Sequence, residues 1–358
     1  MSGEPGFAAR LAGVAITLIR WHYRRRFHKA KIDMKQSVMR ALIASGLCSP
    51  LPAHAGISEH ALLRPEGSRA YFAVEPAALA TQKRPTIILL HGHGASAAFM
   101  VGRESFLGYG SDEWVRLAER EHVLLLAPDG SKASDGKRAW NDCRADAPTN
   151  ATSDDVGFLA ALIDTAIAQF HADPQRIYVF GASNGGGMAF RLGIELGPRL
   201  AAIGIQSALM PAHSRCGEPS HPLSVFVTHG TQDQIAPYEG GAVRAFGLHG
   251  RGSGIGAEAS VAIWRTLARL PETPAEHRFP HRDAADATSA TRFTWGADPA
   301  GLQVELLRID GGGHTGSSTT ENLPWLLRRL VGVVNHDVDT PSAAWEFFKR
   351  KRAALPVP

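Results

Sequence analysis

The chain has 358 residues, a 44 % hydrophobic fraction and a net charge of +4, which suits a soluble globular protein of one large domain or two modest ones. The charge is unevenly spread: residues 1–40 carry nine Lys/Arg against Glu4 and Asp33, a local +7, so the remainder sums to about −3. Basic character is confined to this arm, and no basic patch with interleaved aromatics lies beyond it, so nucleic-acid binding has no support.

Residues 34–55 read as a secretory signal peptide beginning at Met34. Lys35 and Arg40 form the positive region, Ala41–Leu47 the apolar core, and Ala53-His54-Ala55 a small-residue cleavage site before Gly56. Residues 1–33 are then a basic arm ahead of the true start. The apolar run Leu11–Ile19 is too short to span a bilayer, so no stable membrane anchor is expected. Cys48 follows Leu47, which does not fit a lipoprotein site. The expected location is secreted or periplasmic, with residues 56–358 as a single catalytic domain. Removal of the signal leaves Cys143 and Cys216, an even pair that suggests one disulfide in an oxidising compartment, two free thiols being the alternative.

Two short strands are expected at Ala61–Arg64 and Tyr71–Val74. Pro85–Leu90 is a continuous apolar run and reads as a buried parallel strand. It ends in His91-Gly92-His93-Gly94, a turn of the kind that supplies half of an oxyanion hole, with the His93 N–H as the expected donor. A helix near Trp114–Glu121 leads to a strand at His122–Ala127. The polar loop from Pro128 to Ser153 contains Trp140-Asn141-Asp142-Cys143. Loops at the carboxyl ends of strands carry specificity; Trp140 and His91 are therefore candidate substrate contacts, although Trp140 could equally plug its own loop. Asp154 and Asp155 are expected to cap a helix over Asp155–Phe170.

The stretch Arg176–Phe190, RIYVFGASNGGGMAF, joins an apolar strand to a helix through G-x-S-x-G. The motif alone is weak in a chain with 37 glycines, but strand, tight turn and helix together describe a nucleophile elbow presenting Ser183. The Asn184 N–H, at the start of the helix, is the second expected oxyanion donor. Strands follow at Ala201–Ser207 and Ser224–Thr228. The second leads into His229-Gly230-Thr231-Gln232-Asp233, which puts Asp233 just past a strand end. Residues 239–256 are Gly-rich and expected to be flexible. A helix at Glu258–Leu270 and a strand at Leu302–Ile309 precede Asp310-Gly311-Gly312-Gly313-His314, and closing helices are expected at 322–332 and 341–350.

Alternation of strands and helices argues for an α/β fold, a largely parallel sheet covered on both faces. Ser183, Asp233 and His314 stand in the chain order of an α/β-hydrolase triad. A serine hydroxyl needs an imidazole to take its proton, and the imidazole needs a carboxylate to hold its far nitrogen. Asp310 is the rival acid, but it lies four residues before His314, close to the strand end. No H-E-x-x-H or clustered Cys/His spacing is present, so no metal is expected, and no nucleotide fingerprint points to a cofactor.

From about residue 85 to 350 the chain resembles the secreted esterases that include polyhydroxybutyrate depolymerases and feruloyl or acetyl-xylan esterases. The segments that carry the resemblance are LLHGHG, WNDC, DDVGF, YVFGASNGGGMA, THGTQDQIAPYEGG and GGGHT, with PHRDAADATSATRFTW between the last two. The resemblance implies that Ser183, Asp233 and His314 are nucleophile, acid and base, and that Cys143 and Cys216 pair near the site. Family members often continue G-G-G-H-T with Trp-Pro-Gly; here Gly316-Ser317-Ser318 follows Thr315. Loss of that aromatic argues against a bulky aromatic or polymeric substrate. The expected partner is thus a small or oligomeric ester. A peptidase of the same fold and an exported binding protein on a hydrolase scaffold are the competing readings.

Overall fold

The computed structural model describes residues 56–76, 82–105, 112–244, 250–297 and 301–353. The arm over 1–33 and the signal segment over 34–55 lie outside the described residues. Residues His54–Pro358 cluster as one unit.

Ten strands form one sheet. In chain order they are β1 Gly56–Arg64, β2 Gly67–Glu75, β3 Arg84–Leu90, β4 Leu124–Pro128, then β7 Ala172–Ala182, β8 Ala202–Gln206, β9 Ser224–Gly230, β12 Ala275–Arg278, β13 Ser289–Gly296 and β14 Gln303–Asp310. Two-stranded hairpins, β5 Ser131–Lys132 with β6 Arg138–Ala139 and β10 Gly240–Ala242 with β11 Ser253–Ile255, stand apart from it. The sheet order is β1-β2-β4-β3-β7-β8-β9-β14-β13-β12. The six central strands from β4 to β14 run parallel, and antiparallel pairs flank them on each side.

The central strands are apolar on both sides because helices cover both faces. Along β3, Ile88 and Leu90 enter one core while Ile87 and Leu89 enter the other. Along β7, Ile177 and Val179 alternate with Tyr178 and Phe180 in the same way. On one face pack α3 Asp155–Gln169, α4 Asn184–Glu195 and α5 Ala257–Leu267. On the other pack α1 Ala97–Met100, α2 Glu113–Glu121 and α7 Thr340–Phe348. The remaining helix, α6 Trp325–Val331, follows the His314 loop.

Several boundaries differ from the sequence reading. His122 does not begin a strand: it adopts φ 56° and closes α2, so β4 starts at Leu124. Residues 275–278 and 289–296, inside or beside the polar run PHRDAADATSATRFTW, form the outermost strands β12 and β13. β12 is exposed throughout and carries Glu276, His277 and Arg278, the charged chemistry that protects an open sheet edge. The stretch expected to be flexible over 239–256 contains the β10–β11 hairpin; residues 245–249 lie outside the described residues.

Candidate active site

Ser183 sits between β7 and α4 with φ 54° and ψ −121°, a conformation that L residues rarely adopt and that costs roughly 1–3 kcal/mol. The two motif glycines permit the turn. A Cβ on Gly181 would collide with the Gly185 carbonyl, and one on Gly185 would collide with the carbonyls of Leu90 and His91. The Ser183 amide donates to the Gln206 carbonyl (2.8 Å), which ties the elbow to the end of β8. The turn after β3 is equally close: a Cβ on Gly92 would be 3.4 Å from the Ser183 Cβ.

Asp233 and His314 come from later strands of the same rim. Asp233 follows β9 and His314 follows β14. Backbone bonds from Thr231 to Ile309 (2.9 Å) and from Gln232 to Gly312 (2.9 Å) join their loops. The His314 Nδ1 lies 2.7 Å from the Asp233 Oδ2. The other carboxylate oxygen accepts from the amides of Ile235 and Ala236, both at 2.8 Å. Burial opposes ionisation of Asp233. The His314 charge and the hydrogen bonds from His229 and His314 outweigh it and hold the carboxyl well below the usual range. The rival Asp310 is engaged elsewhere, 3.0 Å from the Arg308 guanidinium.

Asn184 follows Ser183 directly, and His93 follows Gly92, the residue whose Cβ would lie against Ser183. Asn184 opens α4, where backbone N–H groups have no intrahelical partner. Among the described residues no hydrogen bond engages the His93 N–H; the turn around it is fixed by Gly94 N–H to Arg138 O (2.8 Å) and Ala95 N–H to Gly92 O (3.1 Å). The His93 ring is held by Asp135, with Nε2 2.8 Å from Oδ2.

The two candidate substrate contacts, Trp140 and His91, require correction. Both are fully buried and present no surface to a ligand. The Trp140 Nε1 donates to the His91 carbonyl (2.9 Å) and the two rings pack 5.2 Å apart. The His91 Nε2 accepts from Gly130 N–H (2.9 Å), which leaves Nδ1 to donate to the Gly92 carbonyl (2.7 Å). Burial lowers the His91 pKa to about 4, against the pull of the Gly92 carbonyl and Asp129. A neutral His91 thus pins the turn from beneath. Trp140 plugs its own loop, as its alternative reading had it, because its indole N–H finds a partner inside.

The motif segments around these residues are scaffold. The Asn184 side chain accepts from Trp140 N–H (2.7 Å) and donates to the Trp140 carbonyl (3.1 Å) and to Asp142 (2.8 Å). Buried Asp142 also holds Arg144 (2.6 Å) and Asn150 (2.5 Å). The Cys143–Cys216 disulfide is formed and fastens this loop to the one after β8. Asp154 caps α3 through Gly157 N–H (2.9 Å). Asp155, expected to cap, is instead buried, with Arg69 and the Asn141 amide each at 2.7 Å. The only group of three potential metal ligands among the described residues is Cys143, Glu195 and Cys216, and its two sulfurs are in the disulfide.

Comparison with known proteins agrees with this architecture. A model described as phospholipase/carboxylesterase matches residues 70–245. NocK of Nocardia uniformis subsp. tsuyamanensis, named as an esterase, is 29 % identical over 270 residues, 74 % of each chain. A poly(3-hydroxybutyrate) depolymerase of Ralstonia pickettii is 29 % identical over 132 residues, 36 % of this chain and 26 % of its own length. Feruloyl esterase B of Piromyces equi is 28 % identical over 206 residues, 56 % of this chain and 35 % of its own. The match therefore spans about a quarter to a third of the last two proteins. The acetyl xylan esterase of Aspergillus awamori superposes with a TM-score of 0.52 at 13 % identity, covering 82 % of this chain and 99 % of its own. The chain has the α/β-hydrolase fold.

Two features of the site escaped the sequence reading. His229, inside the H-G-T-x-D segment, is fully buried. Its Nε2 lies 2.8 Å from the Ala236 carbonyl and 3.3 Å from the Asp233 Oδ2, so that nitrogen carries the proton and adds a donor to the acid. The signal was present, a histidine four residues before the acid, but spacing does not tell which strand-end side chains turn inward. The second feature is Glu113 at the start of α2. Ser318, four residues after His314, donates its hydroxyl to Glu113. Burial, with Asp339 and Glu321 nearby, raises the Glu113 pKa to about 8 against the Ser318 hydrogen bond. The Ser317–Ser318 departure from Trp-Pro-Gly is thus an inward anchor: both serines are buried, and Ser317 N–H donates to the Thr340 hydroxyl (2.8 Å).

Proposed function

We propose that this protein is a carboxylic ester hydrolase, an exported serine esterase using Ser183 as nucleophile, His314 as base and Asp233 as the acid that orients the base. The observation that carries the reading is the 2.7 Å contact between His314 Nδ1 and Asp233 Oδ2, at the rim where the strained elbow presents Ser183. With Nδ1 committed to the carboxylate, the His314 Nε2 is the nitrogen available to accept a proton.

The Ser183 Oγ adds to the ester carbonyl carbon as its proton passes to the His314 Nε2. The carbonyl electron pair moves onto oxygen, which takes hydrogen bonds from the His93 and Asn184 amides, worth roughly 3–4 kcal/mol each when aimed at the oxyanion. Collapse breaks the bond to the alcohol oxygen, and imidazolium protonates the departing alcohol. Water then adds to the acyl-enzyme by the same proton route, releasing the carboxylic acid and restoring Ser183. Hydroxyalkanoate oligomers and feruloyl or acetyl esters are the proposed substrates, on the strength of the names of the similar proteins. Export is supported by the pattern of residues 34–55 and by the Cys143–Cys216 disulfide.

One mass spectrum tests both parts. Protein recovered from the culture medium or periplasm and treated with a fluorophosphonate should gain one adduct, on the peptide containing Ser183, and should begin at Gly56. An adduct on another residue would overturn the nucleophile, and an intact residue 34–55 segment on exported protein would overturn the signal peptide.

A further inference from the structure

A cleft of about 420 Å³ opens beside the loops that carry Asp233 and His314. Gln232 and Gln234, on either side of Asp233, line it together with Gly311 and Gly313. Trp325, Arg328 and Arg329 of α6 and Gly332 just after it also line the cleft. Neither Ser183 nor His93 lines it. The cleft is nevertheless coupled to the base, because the amides of Gly313 and His314 donate to the carbonyls of Val333 and Val331 on that turn.

The lining has a definite chemistry. Among the described residues, no hydrogen bond or ion pair engages the guanidinium of Arg328 or Arg329, whereas nearby Arg308 is neutralised by Asp310 and Arg116 by Asp112. Two unpaired guanidinium groups favour a carboxylate, which either can grip with two parallel N–H donors. Trp325 is 69 % exposed, with Leu326 and Leu330 also outward on the same helix. A tryptophan so exposed beside a cleft offers an apolar wall that water covers at a cost. An occupant needs an anionic end and an apolar body. The cleft lies at the β9–β14 end of the rim, and Ser183 is three strand spacings from β14, about 14 Å across the sheet. Only an elongated ester could reach both.

We propose that this cleft is a subsite for the carboxylate end of a hydroxyalkanoate oligomer whose scissile ester lies at Ser183. The assignment rests on the serine-esterase reading and names its substrate class: a chain of ester units ending in a free acid fits a remote cationic cleft, whereas neutral acetyl or feruloyl esters of sugars have nothing to place there. Trp325 then supplies the aromatic surface that the Gly316-Ser317-Ser318 segment lacks.

The test is binding to the full-length S183A chain, which holds the oligomer without turning it over. Titration calorimetry compares a 3-hydroxybutyrate trimer as free acid with its methyl ester. The acid should bind about tenfold tighter or more, and the preference should vanish in S183A/R328Q/R329Q and shrink with added salt. Equal affinity for acid and ester, a preference that survives the double Arg substitution, or tighter binding of sodium ferulate than of the trimer acid would each overturn the assignment. Both arginines are exposed, so the substitutions leave the fold intact. The triad is judged separately, by turnover of p-nitrophenyl acetate in the parent, so failure of one proposal is not mistaken for failure of the other.

Discussion

The two ends of the catalytic rim are built differently. Around Ser183 the supporting side chains are cross-tied: buried Trp140 to His91, Asn184 to Trp140 and Asp142, Asp142 to Arg144, and the whole loop to the next by Cys143–Cys216. His314 is fixed through its backbone and through Asp233, but the helix that follows leaves Trp325, Leu326 and Leu330 exposed. The difference separates two tasks. The proposed roles of Ser183, His93 and Asn184 need positions held within fractions of an ångström, which buried polar networks supply. Recognition of a variable substrate tail needs accessible surface.

Breaking the locked end should have the largest effect. Asp142→Ala leaves the buried Arg144 guanidinium without its partner and frees Asn184, so unfolding stability should fall by about 3–5 kcal/mol, read as a lowered urea midpoint. A loss below 1 kcal/mol would mean that the network is not what holds the elbow. The second test sharpens the link between the ends. His229→Asn removes the extra donor to Asp233 at little change in bulk. A charge-assisted hydrogen bond is worth about 1.5–3 kcal/mol, so kcat should drop roughly ten- to a hundredfold with KM unchanged. An unaltered kcat would confine His229 to a packing role.

A third effect concerns the open end and depends on pH. In the folded state Glu113 titrates at about 8 instead of the ordinary 4.5, so the folded protein holds a proton that the unfolded chain has lost across that interval. Stability should therefore be full below about pH 4.5 and decline as pH rises towards 8. Asp339 and Glu321 face Glu113 and add to the repulsion once it ionises, while the Ser318 hydroxyl eases it. Glu113→Gln should flatten the dependence of the urea midpoint between those pH values, and an unchanged slope would reassign it to other groups.

The legible parts of the fold were those where chemistry is written in consecutive residues. Ile87–Leu90 and Ile177–Phe180 are apolar without interruption because both faces of the sheet are covered, and G-x-S-x-G marks a turn that only glycines at 181 and 185 allow. β12 and β13 were not legible, since an edge strand is free to be polar and His277 or Arg278 carries no strand signal. Trp140 was ambiguous for a related reason: whether an indole in a polar loop faces water or core depends on His91, 49 residues away. Glu113 reads as an ordinary surface acid of a helix start until the segment after His314 folds over it. The choice between Asp233 and Asp310 could be argued from loop length, and the structure brings Asp233, not Asp310, to the His314 ring.

The account rests on one hydroxyl being the attacking group, and hydrolysis of a p-nitrophenyl acyl ester by parent and Ser183→Ala protein measures that most directly. Where such triads act as a unit, the substitution lowers kcat by about 10⁶-fold, and the account predicts a loss of that order with the variant still folded. Turnover by Ser183→Ala at the parent rate would contradict it.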